Sequence, residues 1–153
     1  MKIARYSARG RVSYGAVEKD VVKQIADAPF EGIEFTGREQ PLSQVRLLAP
    51  CMPSKILALG LNYVSHLGSQ KAPEKPEAFL KTPSCVIGPG EPIGIPKNAG
   101  RVDEEAELVV VIGRKCSKVS KARALDYVLG YTCGNDVSAR EWQRGDMQWW
   151  RAK

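Results

Sequence analysis

At 153 residues, with 43% hydrophobic and 26% charged residues, the chain is long enough to bury a core and too apolar to be read as disordered. Its longest strongly apolar stretch, residues 108–112, falls far short of the roughly 20 residues that cross a bilayer. No apolar segment follows the basic N-terminus as a secretory signal requires, so a cytoplasmic address is the default. The formal charge of +6 is scattered without a basic run, which argues against nucleic acid as a partner and suits a small anionic ligand.

Residues 2–17 alternate polar and apolar positions around Ala8 to Gly10 and predict a β-hairpin. Residues 18–48 are polar, broken by Gly32 and Gly37, with short apolar clusters at 21–22 and 45–48; Pro50 and Pro53 then mark a boundary. A buried strand is predicted over 55–61, with His66 just beyond its end. Six of the ten prolines fall in 73–96, so that stretch reads as loop-rich β structure with short β-like runs at 78–81 and 85–88. Residues 105–113 give the clearest strand, continuous and β-branched, and predict burial on both faces. Residues 120–129 read as a helix stopped by Gly130, followed by a short strand at 131–133. Ser138 and Glu141 have the spacing of a capping box that opens a last helix. Cys51, Cys85, Cys116 and Cys133 are irregularly spaced, with no Cys-x-x-Cys pair, and read as reduced, mostly packed thiols.

The run Asp103-Glu104-Glu105-Ala106-Glu107 precedes a strand that is predicted to be buried. Period-two alternation points Glu105 and Glu107 to one face, so two carboxylates stand at the edge of an apolar surface. Such anions need neutralising. A hard divalent cation with oxygen ligands is one answer; salt bridges to Lys or Arg, or a solvated strand end, are the others. Asp136 lies at a strand-to-helix junction and reads either as a further ligand or as a turn residue.

His66 is the only histidine, and so the only side chain whose ordinary titration falls near neutrality. It reads either as a proton carrier or as a surface residue. Arg140 and Gln143 share a helix face at i, i+3 and can grip a carboxylate or an oxo group, or simply belong to an amphipathic helix packed through Trp142, Trp149 and Trp150.

At these residues the sequence resembles the fumarylacetoacetate hydrolase family. The resemblance is carried by Gly60-Leu61-Asn62-Tyr63-Val64-Ser65-His66, Phe79-Leu80-Lys81, residues 84–90, Glu105-Ala106-Glu107-Leu108-Val109-Val110-Val111-Ile112-Gly113 and residues 130–140. It implies a mixed β fold with few helices: residues 1–52 as a small α+β N-terminal domain, then residues 53–153 as the first part of a fumarylacetoacetate hydrolase-like β-roll that is incomplete here. It also implies a homodimer and a Mg²⁺ ion, replaceable by Mn²⁺ or Ca²⁺, held by Glu105, Glu107 and Asp136.

The implied activity is on a 2-oxo or 1,3-dicarbonyl acid through a metal-stabilised enolate, with isomerisation, decarboxylation and C–C bond hydrolysis all open. His66 and Lys153 would be catalytic, the first moving a proton or activating water and the second stabilising negative charge. Arg140 and Gln143 would bind substrate. Ser69 stands where many acylpyruvate-cleaving members carry a glutamate that partners the histidine, which tells against hydrolysis. The alternative expectation is a truncated, non-catalytic chain that serves as an oligomer subunit, since the chain stops at Lys153 where family members continue.

Overall fold

Alternation over the first residues produces the predicted hairpin in the computed structural model, which describes residues 1–153. Strands β1 (Lys2–Ala8) and β2 (Arg11–Glu18) pair from Lys2↔Val17 to Ala8↔Arg11. The two residues between them, Arg9 and Gly10, both have positive φ, 50° and 77°, as a tight two-residue hairpin turn matched to strand twist requires. Strands β3 (Val21–Ile25) and β4 (Phe35–Pro41) extend the sheet on one side, and the short β5 (Arg46–Leu47) closes the other side against β1. The helical part of this region is one 3-10 turn, Leu42–Gln44.

Further on come β6 (Ile56–Gly60), the four-residue α1 (Val64–Leu67), β7 (Glu77–Lys81), β8 (Val102–Asp103), β9 (Ala106–Ile112), β10 (Val128–Asn135), β11 (Ser138–Ala139) and α2 (Arg140–Gly145). They form three two-stranded pairs, β6 with β7, β8 with β11, and β9 with β10. No helix is long and apolar enough to cross a membrane.

The chain divides into two compact units that alternate along the sequence. One comprises Met1–Cys51, Ile87–Pro92 and Ala106–Gly134; the other comprises Met52–Val86, Ile93–Glu105 and Asn135–Lys153. In the first, Tyr6, Ala16, Val22, Ile25 and Ala49 form the core. Close packing there depends on Gly15, because a Cβ at that position would lie 2.5 Å from Val22 Cγ1 and 2.8 Å from the Lys23 carbonyl oxygen. In the second unit the buried residues are small or polar: Ala99, Asp136, Ser138, Ala139 and Ala152. That unit is therefore organised by hydrogen bonds as much as by apolar contact.

Four expectations are corrected. Strand β9 is covered on one face only: Glu107, Val109 and Val111 are half-buried, while Leu108, Val110 and Ile112 are 67%, 46% and 54% exposed. Strand β6 alternates in the same way, with Leu57 and Leu59 exposed. The stretch 120–129 makes a 3-10 turn at Lys121–Tyr127, and its end is drawn into β10. Of the four cysteines, Cys85, Cys116 and Cys133 are exposed rather than packed.

Substituting Gly15→Ala is expected to destabilise the chain by about 1–3 kcal/mol, because the methyl must displace the Val22 side chain or the backbone of β3. Chemical denaturation of the two proteins measures the difference.

Candidate metal centre

The acids meet through backbone pairing. The register Ser138↔Asp103 and Ala139↔Val102 joins β11 to β8. One step outside that pair, the Asp136 N–H donates to the Glu105 carbonyl at 2.9 Å, and the Glu105 N–H donates to the Asn135 side-chain oxygen at 3.0 Å. Residues 30 apart in sequence are thus held side by side. Glu107 follows Glu105 by two positions, and one carboxylate oxygen from each of Glu105, Glu107 and Asp136 lies within 4.8 Å of the others.

Cations surround these carboxylates. Lys153, only 5% exposed at its side chain, donates to Asp136 Oδ2 at 2.9 Å and also to Glu105 Oε2. Lys81 donates to the other oxygen of Asp136 and to the main-chain carbonyl of Lys153. Arg140 spreads its guanidinium over three acceptors: Asp103 Oδ2 at 2.8 Å, Gln143 Oε1 at 3.0 Å, and Glu105 Oε1. Arg101 grips Asp103 with two bonds, of 2.8 and 3.0 Å. Three carboxylates (Asp103, Glu105, Asp136) are therefore paired with four cations (Lys81, Arg101, Arg140, Lys153).

The electrostatics follow. Burial pushes the Glu105 carboxyl up, but hydrogen bonds from Lys153 and Arg140 outweigh it and lower its pKa to about 2. Hydrogen bonds from Arg101 and then Arg140 lower Asp103 to about 2. Both groups are anions at any physiological pH.

Local packing presents Lys153. Phe79 and Lys81 lie on the half-buried face of β7, and the Phe79 ring meets Trp149 edge-on at 5.3 Å. Gly60 leaves room for that indole, since a Cβ there would stand 3.3 Å from it. Trp149 has a positive φ of 58°, and its carbonyl accepts the N–H groups of Ala152 and Lys153 at 3.0 and 2.9 Å. The tight turn brings Lys153 back over the Phe79 ring, with its ammonium 5.6 Å from the ring centre.

The donor set suits a hard divalent ion. Oxygens bound at about 2.1 Å in an octahedron lie about 3.0–4.2 Å apart, so a spread of up to 4.8 Å needs only a small side-chain closure. Arg101, Asp103, Arg140, Gln143, Arg144 and Trp149 line an open polar cleft of about 400 Å³. Its three guanidinium groups favour an anion.

Of the residues singled out from sequence, Glu105, Asp136, Arg140, Gln143 and Lys153 form one hydrogen-bonded cluster, with Glu107 beside it. His66 stands apart. It is exposed on α1, its ring contact is with Tyr63 at 5.9 Å between centroids, and no hydrogen bond or ion pair joins it to Glu105, Asp136 or Lys153. Salt bridges, one of the ways of neutralising the acidic run, are formed at Glu105.

Ser138 does not cap α2, whose N-cap is Ala139 with no side-chain hydrogen bond. Its buried hydroxyl instead contacts Glu105 Oε2 at 3.1 Å and the Asp136 carbonyl at 2.9 Å. Sequence reasoning missed Ser138, Asp103 and Lys81 as members of the cluster. Asp103 was visible in the acidic run, and Lys81 in the Phe79-Leu80-Lys81 motif.

The sequence profile described as "Fumarylacetoacetate (FAA) hydrolase C-terminal" matches residues 55–153. The chain belongs to the fumarylacetoacetate hydrolase family. Residues 1–50 match a profile described as "Rv2993c-like, N-terminal".

A relative among the curated proteins is Protein Rv2993c of Mycobacterium tuberculosis, 43% identical over 100% of this chain and 61% of the relative. Among solved structures, 5-carboxymethyl-2-hydroxymuconate delta-isomerase from Mycobacterium smegmatis is 48% identical with a TM-score of 0.92, covering 100% of this chain and 61% of that one. Maleylpyruvate hydrolase from Sphingobium sp. SYK-6, in complex with manganese(II) and pyruvate, is 29% identical with a TM-score of 0.70, covering 90% of this chain and 59% of that one. The family member described here thus spans about three-fifths of the length of these relatives, within the fumarylacetoacetate hydrolase-like β fold.

The lowered pKa of Glu105 sets the acid behaviour of metal-free protein. A group depressed on folding contributes stability that is present above its unfolded value, 4.5, and lost as pH falls toward about 2. Glu105→Gln is therefore expected to lose less stability than wild type between pH 4.5 and 2. Thermal unfolding across that window checks this, and an equal loss in both proteins contradicts it.

Proposed function

We propose that residues 53–153 form the first part of the catalytic domain of a divalent-metal-dependent enzyme, after a small domain at 1–52. Its substrate is a 2-oxo or 1,3-dicarbonyl acid, converted through its enolate by isomerisation, decarboxylation or C–C bond hydrolysis. The observation that carries this reading is the Glu105, Glu107 and Asp136 triad, with oxygens within 4.8 Å, set beside buried cations. The manganese and pyruvate bound by the Sphingobium relative support the same pairing of cation and oxo-acid.

When bound, Mg²⁺ or Mn²⁺ supplies Lewis-acid polarisation of the substrate's oxo group. The remaining chemistry belongs to side chains. Arg140, already fixed by Asp103 and Gln143, offers its guanidinium edge to a substrate carboxylate, and the Gln143 amide orients the neighbouring oxygen. Lys153 keeps a positive charge where the enolate oxygen develops, in a site where 5% exposure of its side chain limits screening. His66, on the exposed helix α1, is assigned the proton transfer.

The apolar face of β9, exposed through Leu108, Val110 and Ile112, favours a second reading, in which the chain acts as a non-catalytic subunit of an oligomer.

Calorimetry separates the two readings. Wild-type chain is expected to bind Mn²⁺, more tightly when oxalate is present as an enolate mimic. Glu107→Ala should weaken binding by more than the roughly 10–100-fold that loss of a mere supporting residue costs. Folded wild-type protein that takes up no Mn²⁺, with or without oxalate, would leave the subunit reading in place.

A further inference from the structure

We propose that Lys81 is a built-in counter-cation of the metal centre: by holding Asp136 it keeps divalent-cation affinity low until an acidic ligand binds. This rests on the metal-centre reading above. Lys81 ends β7, where it pairs with Ile56, and its side chain shares a face with Phe79. The lysine and Asp136 side chains are 12% and 9% exposed, so solvent and salt do little to weaken the charge between them. The ammonium also donates to the carbonyl of Lys153, which gives it a second acceptor besides Asp136. Pairing with β6 and the packing of Phe79 on Trp149 hold this strand in place. The backbone that carries the ammonium is thereby fixed beside Asp136.

Charge repulsion gives the consequence. A divalent ion at Asp136 stands beside the ammonium groups of Lys81 and Lys153, so positive charge accumulates there. A dianion such as oxalate or a 2-oxo dicarboxylate offsets that charge. Cation and dianion therefore raise each other's affinity, as linkage requires. Lys81 contributes to this coupling without being one of the groups assigned to the reaction.

A different role for Lys81 predicts the opposite sign. If the lysine mainly oriented Asp136 for ligation, its loss would weaken metal binding, by about 10–100-fold. If it is a counter-cation, its loss strengthens metal binding.

The test is calorimetric titration of Mn²⁺ into wild type, Lys81→Met and Lys81→Arg, each with and without oxalate, on protein shown to be folded by its thermal unfolding transition. Lys81→Met is expected to bind Mn²⁺ alone at least about tenfold more tightly than wild type. It should also gain less from oxalate, while Lys81→Arg, which keeps the charge, retains wild-type behaviour. Unchanged or weaker Mn²⁺ binding by Lys81→Met, in a wild type that binds the ion, overturns the role of Lys81 alone. A wild type that never binds Mn²⁺ overturns the metal-centre reading together with it. Should Lys81→Met not fold, Lys81→Gln carries the same comparison with the same two outcomes.

Discussion

A buried carboxylate persists as an anion only where a cation meets it, and in this chain the Lys153 ammonium meets two. It bridges Glu105 and Asp136, which are brought together by the bond from the Asp136 N–H to the Glu105 carbonyl. The surrounding features serve this contact. The edge-on packing of Phe79 and Trp149 and the positive φ of Trp149 deliver the lysine. The β8–β11 register places Ser138 and Asp103 beside the acids. Arg140 then ties Asp103, Glu105 and Gln143 into one network. A network so fully satisfied is rigid, and preorganised charge is what stabilisation of a developing oxyanion needs.

The same network explains why the second unit holds together around small and polar residues. Ser138 and Asp136 are buried, yet each has hydrogen-bond partners, so burial carries no unpaired polar cost. Ala139 and Ala152 approach closely enough for the Ala139 N–H to reach the Ala152 carbonyl at 2.8 Å. In the first unit the logic differs: Tyr6, Val22 and Ile25 form an ordinary apolar core over a hairpin-built sheet.

Local pattern made part of this legible. The β1–β2 hairpin and strand β9 follow from alternation and β-branching, and the shared face of Glu105 and Glu107 follows from the strand period. At its strand-to-helix junction the third acid, Asp136, reads equally as ligand or turn residue, and Lys153 stands out only through family resemblance, because nothing local says that residues 31 and 48 positions from Glu105 will meet it. Long-range pairing is where sequence reasoning ran out. Lys81 lies 55 positions from Asp136, and no short window contains both.

Ser138 misled because the capping-box spacing was present while Glu105 competed for the same hydroxyl. The run 120–129 carries helix formers, but its end is needed by β10, and pairing with β9 outweighs local propensity. The continuous apolar run of β9 suggested cover on both faces, whereas only one face is covered here. His66 stands out in the sequence by its uniqueness, but sequence alone does not say that it stands on an exposed four-residue helix.

The central claim is that Glu105, Glu107 and Asp136 converge on one divalent cation. Anomalous diffraction from crystals grown with Mn²⁺ and oxalate tests it most directly. The account predicts a single strong manganese peak bounded by those three carboxylates, at about 2.1–2.3 Å from an oxygen of each. A peak bound elsewhere, or none while Lys153 still bridges Glu105 and Asp136, would contradict it.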